Sequence, residues 1–341
     1  MRYMIPVMKS TPLCLALILI STPIHAEWFK HSESAMGTPI NVELWSRSEQ
    51  QAKTCTQKVM LEMRRIDALM SPYKPESELA VVNAKASHEA VKIGEELFRL
   101  IERSIDLSRL SEGAFDITFA SIGYRYDYRK SQRPSDQEIK TQLDRINYRH
   151  IILNKENSTI RFAKQGVRID LGGIAKGYAV DNGIGILKDC GIKRALISAG
   201  GDSRIMGDRK GRPWMTGIRD PRNKDKSVIV IPLSDTAVST SGDYERYFIK
   251  DGVRHHHILS PSTGKSVNST RSVTVLGQDA ITTDGLSTTL FVLGAVKGLA
   301  LAERLEGIDA VIIDATGKIH YSSGLMPPER SESENKPPKR E

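Results

Sequence analysis

A chain of 341 residues with 39% hydrophobic and 26% charged residues has room for one large domain or two ordinary ones, and its composition excludes a low-complexity or fibrous chain. Its formal charge of +8 comes from scattered lysines and arginines with no basic run interleaved with aromatics, so it favours anionic ligands without marking a nucleic-acid surface. No histidine and cysteine spacing matches a structural zinc site. Arg2 and Lys9 precede the apolar run Leu13–Ile20, which is followed by Pro23 and Ile24-His25-Ala26. Residues 1–26 are therefore expected to be a cleaved signal peptide, the run falling well short of the roughly 20 apolar residues of a membrane span. Cys14 lacks the small residues that precede a lipidated cysteine, so export without a lipid anchor is expected. Cys55 and Cys190 then remain, either as one disulfide in an oxidising compartment or as two separately buried thiols.

Along the mature chain, Ile40–Trp45 alternates apolar and polar residues like a half-buried strand. Val59, Met63, Ile66 and Leu69 recur at helical spacing within a helix expected from Ser48 to Met70, which Pro72 stops. Leu97, Leu100, Ile101 and Ile105 predict a second helix over Glu95–Leu110, ending before Gly113. In the middle, Val167–Leu171, Ala195–Ser198 and Val228–Ile231 read as strands, with a helix beginning near Ile174. That order has the rhythm of a ligand-binding α/β unit. Ser272–Leu276 and Val311–Ile313 are further expected strands, and Thr283–Gly294 an apolar helix. Residues 327–341 are rich in proline, serine and charge and read as a disordered tail. With no repeat and no clear linker, 27–326 is expected to be one domain.

Several stretches carry residue types suited to chemistry, each with a plain structural alternative. Asp170-Leu171-Gly172-Gly173-Ile174-Ala175-Lys176-Gly177 opens a helix with glycines that let backbone amides approach a phosphate, or it is a tight turn; Lys176 either pairs with phosphate or is a solvated lysine. It matches neither the Walker loop nor the GxGxxG fingerprint. Ala199-Gly200-Gly201-Asp202 again combines glycines with an acid. Asp284 and Thr288 stand four apart and share a helix face of hard oxygen ligands suited to magnesium, or serve as a helix cap and a surface residue. In His255-His256-His257 adjacent strand positions alternate faces, so the three do not converge on a metal; one of them is a candidate base or a packed residue.

Taken in order, Ala35-Met36-Gly37-Thr38, Ser71-Pro72-Tyr73 with Ser77-Glu78-Leu79, Gly113-Ala114-Phe115-Asp116 and the Asp170 to Gly177 loop resemble the ApbE family, the FAD:protein FMN transferases. The resemblance continues through Ala199–Asp202, Ser239-Thr240-Ser241-Gly242, His257–Pro261 with Thr263-Gly264, and Asp284–Thr288. It implies an α+β fold of mixed or antiparallel sheets with packed helices and an FAD cleft between two lobes. It also implies that Met36, Tyr73, Ala114, Phe115, Asp116, Asp170, Lys176 and Leu259 line the FAD site. Gly173 through its carbonyl, Asp284, Ser287 and Thr288 would hold Mg2+, and His257 and Asp284 would be catalytic.

The implied reaction moves FMN from FAD to a Thr or Ser hydroxyl of an exported acceptor, a flavoprotein subunit of an electron-transfer system, and releases AMP. The alternatives are a magnesium-dependent FAD pyrophosphatase and a non-catalytic flavin-binding protein. Ser260 stands where many relatives have aspartate, and Ser287 is neutral, which leaves Asp284 as the one certain carboxylate of the implied metal site. No acceptor motif is evident in this chain, so it is expected to modify another protein. The expected location is the periplasm, peripheral to a membrane at most.

Overall fold

The computed structural model describes residues 26–325, and the readings of a signal peptide and a polar tail fall outside the described residues, Ala26 apart. The chain begins with an antiparallel pair, β1 (Glu27–Ala35) and β2 (Thr38–Ser46). Ile40, Val42 and Leu44 are buried at alternate positions of β2, which is the expected two-residue period. Ser48 caps α1 (Glu49–Met70) by accepting from the Gln51 amide, and Cys55, Val59, Met63, Ile66 and Met70 form its buried stripe. The helix stops at Ser71, ahead of Pro72.

A smaller lobe follows, comprising α2 (Glu78–Lys85), β3 (Val91–Lys92), α3 (Glu95–Leu110), α4 (Ala120–Gly123), α5 (Asp136–Gln142), β4 (Ile151–Asn154) and β5 (Thr159–Phe162). Its three strands pair in the order β3-β5-β4. Then come α6 (Ala175–Asp189), β6 (Ala195–Ala199), β7 (Asp202–Met206), a separate hairpin of β8 (Trp214–Asp220) and β9 (Asn223–Leu233), and β10 (Ala237–Gly242). A second small hairpin, β11 (Tyr247–Lys250) with β12 (Val253–His256), precedes β13 (Thr270–Gly277), α7 (Ala280–Ala302), β14 (Asp309–Asp314) and β15 (Ile319–Tyr321).

The main sheet has eight strands in the order β1-β2-β6-β7-β10-β13-β14-β15, and every neighbouring pair is antiparallel. Helix α6 packs against α1 and α7, and α7 lies against β10, β13 and β14. The result is an α+β fold. Cys55 and Cys190 are joined, fastening α1 to the end of α6 with Cα atoms 6.2 Å apart.

Two expectations change. Val167–Leu171 is not a strand, although Val167, Ile169 and Leu171 are buried in alternation. Its backbone groups are taken by side chains: Asn83 accepts from the Ile169 amide at 2.7 Å and donates to its carbonyl at 2.9 Å. The Ser121 hydroxyl likewise accepts from the Arg168 amide at 3.0 Å, and the Asp170 amide donates to the Ile117 carbonyl at 3.0 Å. With that segment irregular and the sheet antiparallel, the middle of the chain is no α/β unit. The apolar helix expected over 283–294 runs instead over Ala280–Ala302, starting from an Asp279 cap and interrupted at Gly294, whose φ of 75° leaves the helical path.

Candidate active site

The Asp170 to Gly177 loop enters α6 where α6 crosses the first turns of α7. Gly177 makes the crossing possible, because a Cβ there would lie 2.1 Å from the Ala280 carbonyl oxygen. At this point the Gly177 amide donates to Asp284 Oδ2 at 2.9 Å. Asp284 is therefore no helix cap; Asp279 fills that role, and Asp284 lies in the second turn with 3% of its surface exposed.

Lys176 reaches between two acids. Its ammonium pairs with Asp202 and lies 3.4 Å from both carboxylate oxygens of Asp284. Burial disfavours the ammonium, but the Asp202 and Asp284 charges outweigh it and hold Lys176 protonated above its ordinary range. Burial, reinforced by the charge of Asp202, pushes the Asp284 carboxyl up, while Lys176 and the Gly177 amide pull it back. Three hydroxyls meet one another on β10 and the adjoining turn of α7. Ser241 of β10 lies 2.9 Å from Ser287 Oγ and 3.3 Å from Thr288 Oγ1, and Ser287 also donates to the Asp284 carbonyl at 2.9 Å. Gly173 faces the same spot, since a Cβ on it would sit 3.3 Å from Thr288 Oγ1 and 3.2 Å from the Phe115 ring.

The remaining candidate residues divide by environment. Phe115 and Leu259 are buried, the latter packed among Ile122, Tyr126 and Ile139. Ala114 is half-buried. The Asp116 carboxylate is fully used inside the fold, accepting from the Thr118 amide at 2.8 Å and from the Tyr148 amide at 2.7 Å, with burial raising its pKa. Asp170 folds its carboxylate onto the Gly172 amide at 2.6 Å. Burial pushes Asp170 up, and the charges of Arg246 and Lys176 oppose that shift. Met36 sits at the β1–β2 turn with φ of 53°, and Tyr73 is 79% exposed.

The three histidines diverge, as strand alternation predicts. His255 lies against Phe248, with ring centres 5.2 Å apart, and His256 is buried with Nε2 2.7 Å from the Val267 carbonyl. His257 leaves the strand and donates its amide to the Arg246 carbonyl at 3.1 Å. Its Nδ1 is buried without a hydrogen-bond partner. Burial pushes the imidazole down to about 3, with His256, Arg246 and Lys176 adding to the effect, so it is neutral at ordinary pH.

Gly173, Lys176, Asp284, Ser287 and Thr288 thus meet on one wall, which Phe115 adjoins. Asp202 and Ser241 complete that wall. Both lie in motifs that sequence reading singles out, yet only the fold shows that Asp202 anchors Lys176 and that Ser241 bridges to α7. Arg246, exposed and close enough to Asp170 and His257 to influence both, carried no signal, because a surface arginine is the ordinary case.

The ApbE family's sequence model matches residues 36–312. An FAD:protein FMN transferase of Vibrio cholerae is 32% identical over 321 residues, covering 91% of this chain and 96% of the relative. One from Klebsiella pneumoniae is 30% identical over 299 residues, covering 86% and 92%. Among solved structures, the ApbE protein of Thermotoga maritima superposes with a TM-score of 0.81 at 34% identity, covering 87% of this chain and 98% of its own. The flavin transferase ApbE of V. cholerae gives 0.79 at 31% identity, with 88% and 98% covered. Matched in sequence and in fold over the same span, this chain belongs to the ApbE family.

Proposed function

We propose that this protein is a magnesium-dependent FAD:protein FMN transferase that passes FMN from FAD to a Thr or Ser hydroxyl of an exported acceptor protein and releases AMP. The observation that carries the reading is the wall around Asp284: a buried carboxylate fixed by the Gly177 amide, already facing a cation, with hydroxyls beside it. The Lys176 ammonium shows that this position favours positive charge, and the neighbouring donors are all hard oxygens, which fits magnesium. Among the described residues no three His, Cys, Asp or Glu side chains cluster as a metal cage. That suits an ion whose coordination is completed by substrate phosphates. Asp284 and Thr288, with the Gly173 carbonyl and the neighbouring Ser287, are the groups that would hold it. When bound, the ion supplies Lewis-acid stabilisation of charge on the pyrophosphate.

In this reading the acceptor hydroxyl oxygen bonds to the FMN phosphorus, and the bridging bond to the AMP phosphate breaks. AMP departs with that oxygen. His257 is the candidate acceptor of the hydroxyl proton, since its Nδ1 has no competing partner in the fold; at about 3 the ring is a weak base, and the negative charge of a bound pyrophosphate would raise it. Lys176 adds a fixed positive charge beside the phosphates, held in place by Asp202. Exposed Tyr73 and the turn at Met36 offer the open surface against which the flavin ring lies. We place the reaction in the periplasm, an assignment that the Cys55–Cys190 bond favours because disulfides persist in oxidising compartments.

The test incubates the protein with FAD, magnesium and a candidate flavoprotein subunit of an electron-transfer system, then measures the acceptor's intact mass and the AMP formed. Transfer adds one FMN phosphoester to the acceptor for each AMP released. AMP with only free FMN, whichever acceptor is offered, would replace transfer by FAD hydrolysis. No AMP at all would leave a flavin-binding protein.

A further inference from the structure

Two arginines meet on one carboxylate beyond the Asp284 wall, and a third stands beside them. Asp243, two residues past Ser241, has a side chain only 7% exposed, and its two oxygens accept from Arg222 at 2.8 and 2.7 Å. This pair neutralises the acid and pins the turn between β8 and β9. Arg254 of β12 approaches the same carboxylate at 3.8 Å through Nε and donates to the Asp243 carbonyl at 3.4 Å. Arg271 is the extra residue of a bulge in β13, since Thr270 faces Asp314 and Ser272 faces Ile313 across the ladder. Its carbonyl accepts from the Asp243 amide at 3.0 Å, and its guanidinium rests against the turn at Gly317. Among the described residues Arg271 makes no ion pair, whereas Arg222 and Arg254 share the single acid. With Asn268 and Thr270, these groups line a recess of about 150 Å³.

We propose that this recess is an oxyanion site that takes inorganic phosphate or the phosphate of a phosphomonoester. Three guanidinium groups and one carboxylate line the recess, and guanidinium forks match phosphate oxygens in geometry as well as charge. The bulge supplies the placement: a regular ladder would pair residue 271 across to β14, whereas the extra residue is left out of that pairing and lines the recess. An anion bound there joins the hairpin turn through Arg222, β12 through Arg254 and β13 through Arg271. The site is separate from the flavin reading and stands whether or not the protein transfers FMN.

Calorimetric titration of the full protein with inorganic phosphate and, separately, with AMP tests this, at ionic strength held constant with chloride and with FAD at saturation. Phosphate should bind saturably, and Arg271→Gln and Arg254→Gln should each weaken it about ten-fold or more. AMP binding with the same sensitivity to the two substitutions identifies a phosphomonoester as an accepted ligand; phosphate binding alone identifies the free anion. Circular dichroism confirms that each variant is folded, and either folded variant suffices. Absence of saturable phosphate binding, or equal affinity in the parent and both variants, overturns the proposal.

Discussion

On the α6–α7 wall Asp284 is gripped by the Gly177 amide and faces Lys176, which Asp202 holds in turn, whereas at the rim Tyr73 is 79% exposed and Arg246 projects without an ion pair among the described residues. The wall is held together by contacts within the fold. Groups fixed in this way are the kind that stabilise charge developing in a transition state. The rim residues are exposed with little packed on them, so they are expected to set affinity more than rate.

The strongest way to break this contrast is Asp284→Ala. Turnover of FAD with magnesium should fall by at least about 10³-fold while the fold survives, since Lys176 keeps Asp202 as its partner. Full activity in a folded variant would remove Asp284 from the chemistry. Gly177→Ala strikes the same wall through packing: the new Cβ meets the Ala280 carbonyl at 2.1 Å, and urea unfolding should show a loss of about 1–3 kcal/mol. An unchanged midpoint would mean that α6 and α7 separate freely. At the rim, Tyr73→Ala should leave the unfolding midpoint unmoved and weaken FAD binding about ten-fold by fluorescence titration, because Tyr73 packs on little else in the fold. A large loss of stability there would erase the distinction between wall and rim.

The effect read as a slope against pH concerns His257. Burial holds its imidazole at about 3 against an ordinary 6.5, so between those values the unfolded chain binds a proton that the native protein does not. Stability therefore falls as pH drops through that window, with at most about 1.4 kcal/mol per pH unit from this one group. His257→Gln should show a shallower decline across the same window. Parallel slopes would mean that His257 is freely protonated in the native state.

Much of the architecture is legible in the sequence because it is local. The buried stripe of α1 and the span of α3 follow from helical spacing, and the alternation of β2 is plain in Ile40, Val42 and Leu44. Val167–Leu171 shows where local pattern misleads. Its alternation is real, but the groups that satisfy its backbone are Asn83 and Ser121, distant in sequence and invisible to periodicity. The site divides in the same way. Asp284 and Thr288 share a helix face that spacing alone predicts, whereas the contact of Lys176 with Asp202 spans 26 residues and two elements. Arg246 and the Arg222–Asp243 pair sit among residue types that ordinarily face solvent, so only the folded chain distinguishes them from surface charge.

The account rests most directly on Asp284 as a metal-holding carboxylate, and a magnesium titration of AMP release from FAD tests it, run on the parent protein and on Asp284→Asn. The parent should require magnesium and saturate with it, while the variant, keeping shape but losing charge, should need far more magnesium or stay inactive at every concentration. Superimposable magnesium curves from the two proteins would contradict the account.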